Sequence, residues 1–135
     1  MFGLSTKGEY GLSLLESLAY EPTTVVSLKK IAKAKKLPIK YLERLASSLK
    51  RAGLIKSKEG AKGGYYLAKP IAQIKLIDVI KILEGDLAPT ICTGDHLKCP
   101  RQDTCTMKQG WLGVRNKIYF ILSSYTLADL FKNNN

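Results

Sequence analysis

The stretch from Ser27 to Lys69, "SLKKIAKAKKLPIKYLERLASSLKRAGLIKSKEGAKGGYYLAK", constrains the fold more than any other part of the chain. Its apolar residues recur with helical spacing twice. From Ser27, Leu28, Ile31 and Ala32 fall at i, i+3 and i+4, with lysines on the opposite face. From Pro38, which suits the first position of a helix because its missing amide costs nothing there, Leu42, Leu45, Ala46 and Leu49 form a second stripe. Gly53 is a natural stop. Two β-prone runs follow, Leu54–Ser57 and Tyr65–Leu67, around a turn holding Gly60, Gly63 and Gly64, which predicts a β-hairpin. Helix, turn, helix, hairpin is the order of a winged helix-turn-helix.

The same segment holds 13 basic residues against two acidic ones, Glu43 and Glu59, so it carries the whole net charge of +11 and leaves the rest of the 135-residue chain neutral. A field of this kind suits a polyanion, nucleic acid first and an anionic membrane surface second; a lysine-rich face kept for solubility is the competing reading. In a helix-turn-helix the start of the second helix approaches base edges. Here Lys40 can donate to guanine, Glu43 can accept from cytosine N4, and Tyr41 and Arg44 can reach phosphates or groove walls. An acid among so many bases costs non-specific affinity, so Glu43 reads as a sequence-reading residue unless it pairs with Lys40 within the helix. Lys58 and Lys62 would follow the minor groove from the wing, where the three glycines would let the backbone come close.

Upstream, "TKGE" predicts a helix capped by Thr6 and Glu9 in a capping box, with Tyr10, Leu14, Leu15 and Leu18 on one face and an end before Pro22. Downstream, "KLIDVIKILEG" is apolar on most sides and predicts a buried helix closed by Gly85. A last long helix is predicted from about Thr106 to Ser124. Trp111, Val114, Ile118, Ile121 and Tyr125 alternate by three and four as coiled-coil positions do, although two heptads also fit a plain core-facing helix. Thr126 and Asp129 cap a terminal turn. The expected fold is mainly α with a small β-hairpin wing. A winged helix-turn-helix region over 1–70 is followed, over 71–135, by a buried helix, a cysteine loop and a dimerisation helix.

All three cysteines, Cys92, Cys99 and Cys105, lie in the polar run "ICTGDHLKCPRQDTCTMK". The odd count argues against a closed disulfide set. No charged-then-apolar leader precedes the first helix and no run is long enough to span a membrane, so a cytoplasmic protein with reduced thiols is expected. Three clustered thiols read as metal ligands, and His96 between them permits a closed zinc site of three cysteines and one histidine. No nucleophile, base and orienting group assemble into an enzyme motif.

The segments "LSTKGEYGL", "IAKAKKLPIKYLERLASSLKRAGLI" and "GAKGGYYLAKP", and the three cysteines after "VIKILEGD", resemble in order and spacing the IscR and NsrR group of winged-helix transcription regulators, the Rrf2 superfamily. The resemblance covers nearly the whole chain. It implies a homodimer on a palindromic double-stranded DNA operator, with the long C-terminal helices crossing at the interface and an iron–sulphur cluster held by Cys92, Cys99 and Cys105. Some members place a histidine three residues after the last cysteine as fourth ligand, where this chain has Lys108. Others use an acidic residue near the start of the first helix of the partner subunit, and Glu9 stands there. Three thiolates and one carboxylate lean toward a [4Fe-4S] rather than a [2Fe-2S] cluster. The expected function is a dimeric, cluster-sensing repressor of iron–sulphur, redox or nitrosative-stress genes. The alternative is a zinc-stabilised structural or interaction protein whose basic face is incidental.

Overall fold

The computed structural model describes residues 3–20, 24–90, 93, 100–101 and 103–132. Its elements run α1 (Thr6–Ala19), α2 (Leu28–Lys35), α3 (Ile39–Arg51), β1 (Ile55–Lys58), β2 (Gly64–Leu67), a 3-10 turn (Ile71–Gln73), α4 (Leu76–Glu84), α5 (Lys108–Ser124) and α6 (Leu127–Leu130). The architecture is a winged helix-turn-helix followed by a helical layer. Ser27 caps α2 by accepting from the Lys30 amide. Pro38 sits one position before the first helical residue of α3 instead of inside it. All four predicted stripe residues of α3 are buried, and Gly53 ends the helix at φ 82°.

β1 and β2 pair antiparallel, with Ile55 opposite Leu67 and Lys58 opposite Gly64. Val26, just before α2, adds a bridge to Tyr65 on the other side of β2. This bridge explains one of the hairpin glycines and the hairpin's own backbone explains another. A side chain at Gly64 would strike the Val26 carbonyl, and one at Gly63 would strike the Lys58 carbonyl. Both permit backbone packing within the wing, and Gly60, with φ 112°, lies in the turn.

The start of α1 also differs from expectation. Ser5, not Thr6, is the N-cap, and its hydroxyl accepts from the Gly8 amide. The shift puts Gly8 where the capping box requires an acid. Glu84, at the far end of α4, takes that place: the Ser5 amide and hydroxyl both donate to its Oε1, at 2.9 and 2.7 Å. A Cβ on Gly8 would meet that carboxylate and displace it from Ser5 unless the Glu84 side chain turned aside, and one on Gly11, one turn on, would press on the Leu83 side chain. Two glycines thus let α1 lie close on α4, while Leu14, Leu15 and Leu18 fill the core.

One apolar core runs from Leu14 to Leu127, taking Val26, Ile31, Leu42, Leu45, Leu49 and Ile55 from one part of the chain and Ile74, Val79, Ile80 and Leu83 from the other. The C-terminal segment returns to it. The Leu76 amide donates to the Tyr125 carbonyl and the Leu127 amide to the Ile74 carbonyl, both at 2.9 Å, and α6 begins with the predicted Thr126–Asp129 capping box. The Thr126 amide and hydroxyl hold the Asp129 carboxyl below its ordinary pKa.

The last long helix begins at Lys108, two residues later than predicted, and Tyr125 lies beyond it in extended geometry. None of its residues is buried. The predicted seam divides: Trp111 and Ile118 are half-buried, whereas Val114, Ile121 and Tyr125 are exposed, joined by Phe120 at 75%. Ile118 and Leu122 line an open cleft with Ile80, and of the two Leu122 packs against the core.

Glu84→Ala removes an acceptor shared by an orphan helix amide and a hydroxyl. It is expected to lower the unfolding free energy by about 1–2 kcal/mol, measured by urea denaturation, and an unchanged midpoint would show that water replaces the carboxylate without cost.

Candidate nucleic-acid interface and cysteine segment

Helix α3 buries one face completely and offers the other to solvent. Lys40, Glu43, Arg44, Ser47, Ser48 and Arg51 line a shallow open depression along that outer face. Lys40, Glu43 and Arg44 are exposed, and among the described residues Glu43 makes neither an ion pair with Lys40 nor any other hydrogen bond. The intrahelical pairing that would have explained Glu43 is therefore not formed. Tyr41 behaves differently. It is half-buried, and its ring meets Tyr10 of α1 edge to face at 5.5 Å between centroids. That ring packs the start of α3 against α1, a role for Tyr41 that its place beside Lys40 and Arg44 in the sequence did not indicate. Lys58 at the end of β1 and Lys62 in the turn are both exposed on the wing.

The chain leaves α4 through Gly85, at φ 80°, and enters the cysteine segment. Asp86 anchors its beginning, its Oδ1 accepting from the Ala88 amide and from the Tyr119 hydroxyl of α5, both at 3.0 Å. The Tyr119 ring carries the Arg115 guanidinium at 4.6 Å and the Lys81 ammonium at 5.1 Å from its centroid. Burial first, then the bond to Asp86, raises the Tyr119 pKa, so the hydroxyl stays a donor. Thr93 is 4% exposed and bonds back to the Thr90 carbonyl at 3.0 Å.

Cys105 is a half-exposed free thiol, its amide held by the Arg101 carbonyl at 2.9 Å. Cys92, Cys99 and His96 lie outside the described residues, so neither the cluster ligands nor the zinc alternative is brought together here. Glu9 is exposed, and with the capping box absent its carboxylate makes no hydrogen bond among the described residues. Among the described residues no three metal-ligating side chains come together, and Cys105 and Glu9 are the two expected ligands that the structure describes.

Residues 4–133 match the Rrf2 family, described as an iron-dependent transcriptional regulator. This chain belongs to that family. The HTH-type transcriptional regulator CymR of Bacillus subtilis is 39% identical over 131 residues, covering 94% of this chain and 88% of the relative. The solved structure of B. subtilis CymR, the global cysteine regulator, superposes with a TM-score of 0.80 at 36% identity over 97% of each chain. The T. potens IscR structure gives 0.77 at 38% identity, over 99% of this chain and 89% of that one. The Rrf2 chain is accordingly a DNA-binding transcription regulator and not an enzyme. Among the described residues, no helix is long and apolar enough to cross a membrane.

The exposed α3 face and the wing predict separable effects. Glu43→Ala and Lys40→Ala should alter sequence preference, each lost base contact costing about 1–3 kcal/mol on the preferred site. Lys58→Ala should weaken all duplexes alike and lower the salt slope by about one. Competition binding against random duplexes measures both, and an equal loss on specific and random DNA would remove Glu43 from base reading.

Proposed function

We propose that this Rrf2-family chain acts in the cytoplasm as a homodimeric, iron–sulphur-cluster-responsive repressor of iron–sulphur, redox or nitrosative-stress genes, binding a palindromic operator. The observation that carries the DNA-binding half of this reading is the outer face of α3, where Lys40, Glu43 and Arg44 stand exposed with no ion pair among the described residues. Lys40 and Glu43 read base edges, Arg44 grips phosphate, and Lys58 and Lys62 hold the duplex from the wing. Tyr41 serves chiefly by fixing the start of α3 against Tyr10.

Cys92, Cys99 and Cys105 would hold the cluster, with Glu9 of the partner subunit as fourth ligand and four irons favoured over two. When bound, such a group supplies a redox-labile centre with an exchangeable carboxylate position. The chain's own contribution is placement. Asp86 ties the start of the cysteine segment to α5 through Tyr119, and Glu84, two residues earlier, ties the end of α4 to the start of α1. Glu9 lies one turn into α1, beside the Tyr10 that holds the start of α3. A segment fixed at these points can bias the spacing of two recognition helices, which a palindrome reads as half-sites about one helical turn apart.

The likeness to CymR supports a second reading, in which a regulator of the same build controls cysteine metabolism and carries no cluster. Anaerobically prepared protein decides between them. Iron and acid-labile sulphide in stoichiometric amounts, lost in Cys99→Ala and lost faster in Glu9→Ala, are expected, together with an operator affinity that differs about 5- to 150-fold between holo and apo forms. Colourless protein without iron would move the assignment to the cysteine reading, and zinc in its place would favour His96 with the three thiols.

The dimer reading is supported by α5, which leaves Val114, Phe120 and Ile121 exposed, with Tyr125 just beyond its end. Ile121→Asp is expected to give a folded monomer in sedimentation with unchanged far-UV circular dichroism. Ile118→Asp, which puts a charge in the cleft beside α4, should give monomers or misfolded protein in the same measurements.

A further inference from the structure

We propose that Tyr119 is a positioning residue that sets the direction of α5 and, through it, the distance between the two α3 helices that a palindromic operator meets. This role rests on the dimeric, operator-binding reading of the chain and adds the residue that fixes its geometry.

The packing of α5 leaves its direction open. The helix has 17 residues and none of them is buried, so its apolar contact with α4 is shallow, and such contact is indifferent to a small tilt. One end is fixed. Beyond Ser124 the Tyr125 carbonyl accepts from the Leu76 amide, and Leu127 lies fully buried in the core. A helix held at one point can still turn about it, and a second point decides where it aims. Tyr119 supplies that point about 8 Å back from Ser124.

The half-buried Tyr119 ring lies between the two helices, with the Arg115 guanidinium of α5 at 4.6 Å and the Lys81 ammonium of α4 at 5.1 Å from its centroid. From this seat its hydroxyl donates to Asp86 Oδ1 at 3.0 Å, across 33 residues of chain. The acceptor is itself placed by the backbone. Asp86 follows Gly85, whose φ of 80° and ψ of −143° favour glycine, and Glu84 just before accepts from the Ser5 amide and hydroxyl of the α1 cap. The bond therefore runs from α5 to a stretch of chain tied to α1. It is directional, weakening steeply as its angle bends, which apolar contact is not. Asp86 is exposed, so water can serve both groups when the bond opens, and losing it frees the direction of α5 without leaving a buried group unpaired.

In a dimer joined along α5, a tilt of that helix in each subunit moves both α3 helices. The operator measures the movement against a fixed scale, since one added base pair displaces a half-site by about 3.4 Å and about 35°.

The test uses the full chain and a palindromic duplex that wild type selects from a random-sequence library, rebuilt with its centre one base pair longer or shorter. Wild type should prefer the selected spacing. Tyr119→Phe, which keeps the ring and its two cations, should lose about tenfold of that preference while binding an isolated half-site as before. Asp86→Asn keeps an acceptor and should behave as wild type, Asp86→Ala should match Tyr119→Phe, and the double variant Tyr119→Phe with Asp86→Ala should lose no more than either alone. Spacing preference retained in both Tyr119→Phe and Asp86→Ala overturns the assignment and leaves the dimer reading intact, and additive losses in the double variant overturn it as well. Weaker half-site binding with unchanged spacing preference also overturns it, since Tyr119 would then serve stability alone. A wild type that selects no palindrome, or binds its duplex as a monomer, overturns both readings.

Discussion

The close seating of α1 is the constraint on which the rest of the structure depends. Gly8 and Gly11 bring its backbone against the end of α4, and on its inner side Leu14, Leu15 and Leu18 are at most 1% exposed. Each such leucine contributes about 1.5–3 kcal/mol of burial, so this one helix anchors a large part of the core. It also touches every functional part: α3 through the Tyr10–Tyr41 edge contact, α2 through Glu16 and Lys35, and the exit toward the cysteine segment through Ser5 and Glu84. A larger side chain at Gly8 would displace the Glu84 carboxylate from Ser5 and so loosen the tie between α1 and α4.

Two kinds of interaction divide the labour. Apolar burial sets which helix packs on which, and it is indifferent to small slides. The polar contacts at α4's end are directional: Glu84 accepts twice from Ser5, and Asp86 accepts from Tyr119. Lys81 and Arg115 flanking the Tyr119 ring add a cationic layer that links α4 to α5 next to that bond. The positions around the cysteine segment are therefore specified by geometry as well as by volume.

Much of this was legible in the chain because local rules and tertiary packing agree over Ser27–Leu67. The stripe Leu42, Leu45, Ala46, Leu49 is read from spacing alone, and it is buried as spacing says. The capping of α1 was not legible, since Glu84 is 79 residues from Ser5 and no local pattern pairs them; Thr6 and Glu9 offered a nearer, satisfying alternative. The faces of α5 are less legible, because apolar residues occur all around it and a heptad count selects a seam without knowing which side α4 will cover; Val114, Ile121 and Tyr125 are exposed, while Trp111 and Ile118 are half-buried. The packing of the Tyr41 ring on Tyr10 was not legible either, since no local pattern pairs positions on two different helices.

The return of the chain after α5 gives that helix an unequal pair of ends. Beyond Ser124 the backbone is locked into the core by the Tyr125 and Ile74 carbonyls and by fully buried Leu127. The opposite end, at Lys108, follows directly on Cys105 and the turn closed by Arg101. A 17-residue helix is about 25 Å long. Because the C-terminal end is the more firmly held, a rotation of about 5° about it would carry the cysteine end through about 2 Å, comparable to the helix shifts that switch other oligomers. Since the exposed apolar stripe lies along the same rod, any such swing would be felt over its whole length.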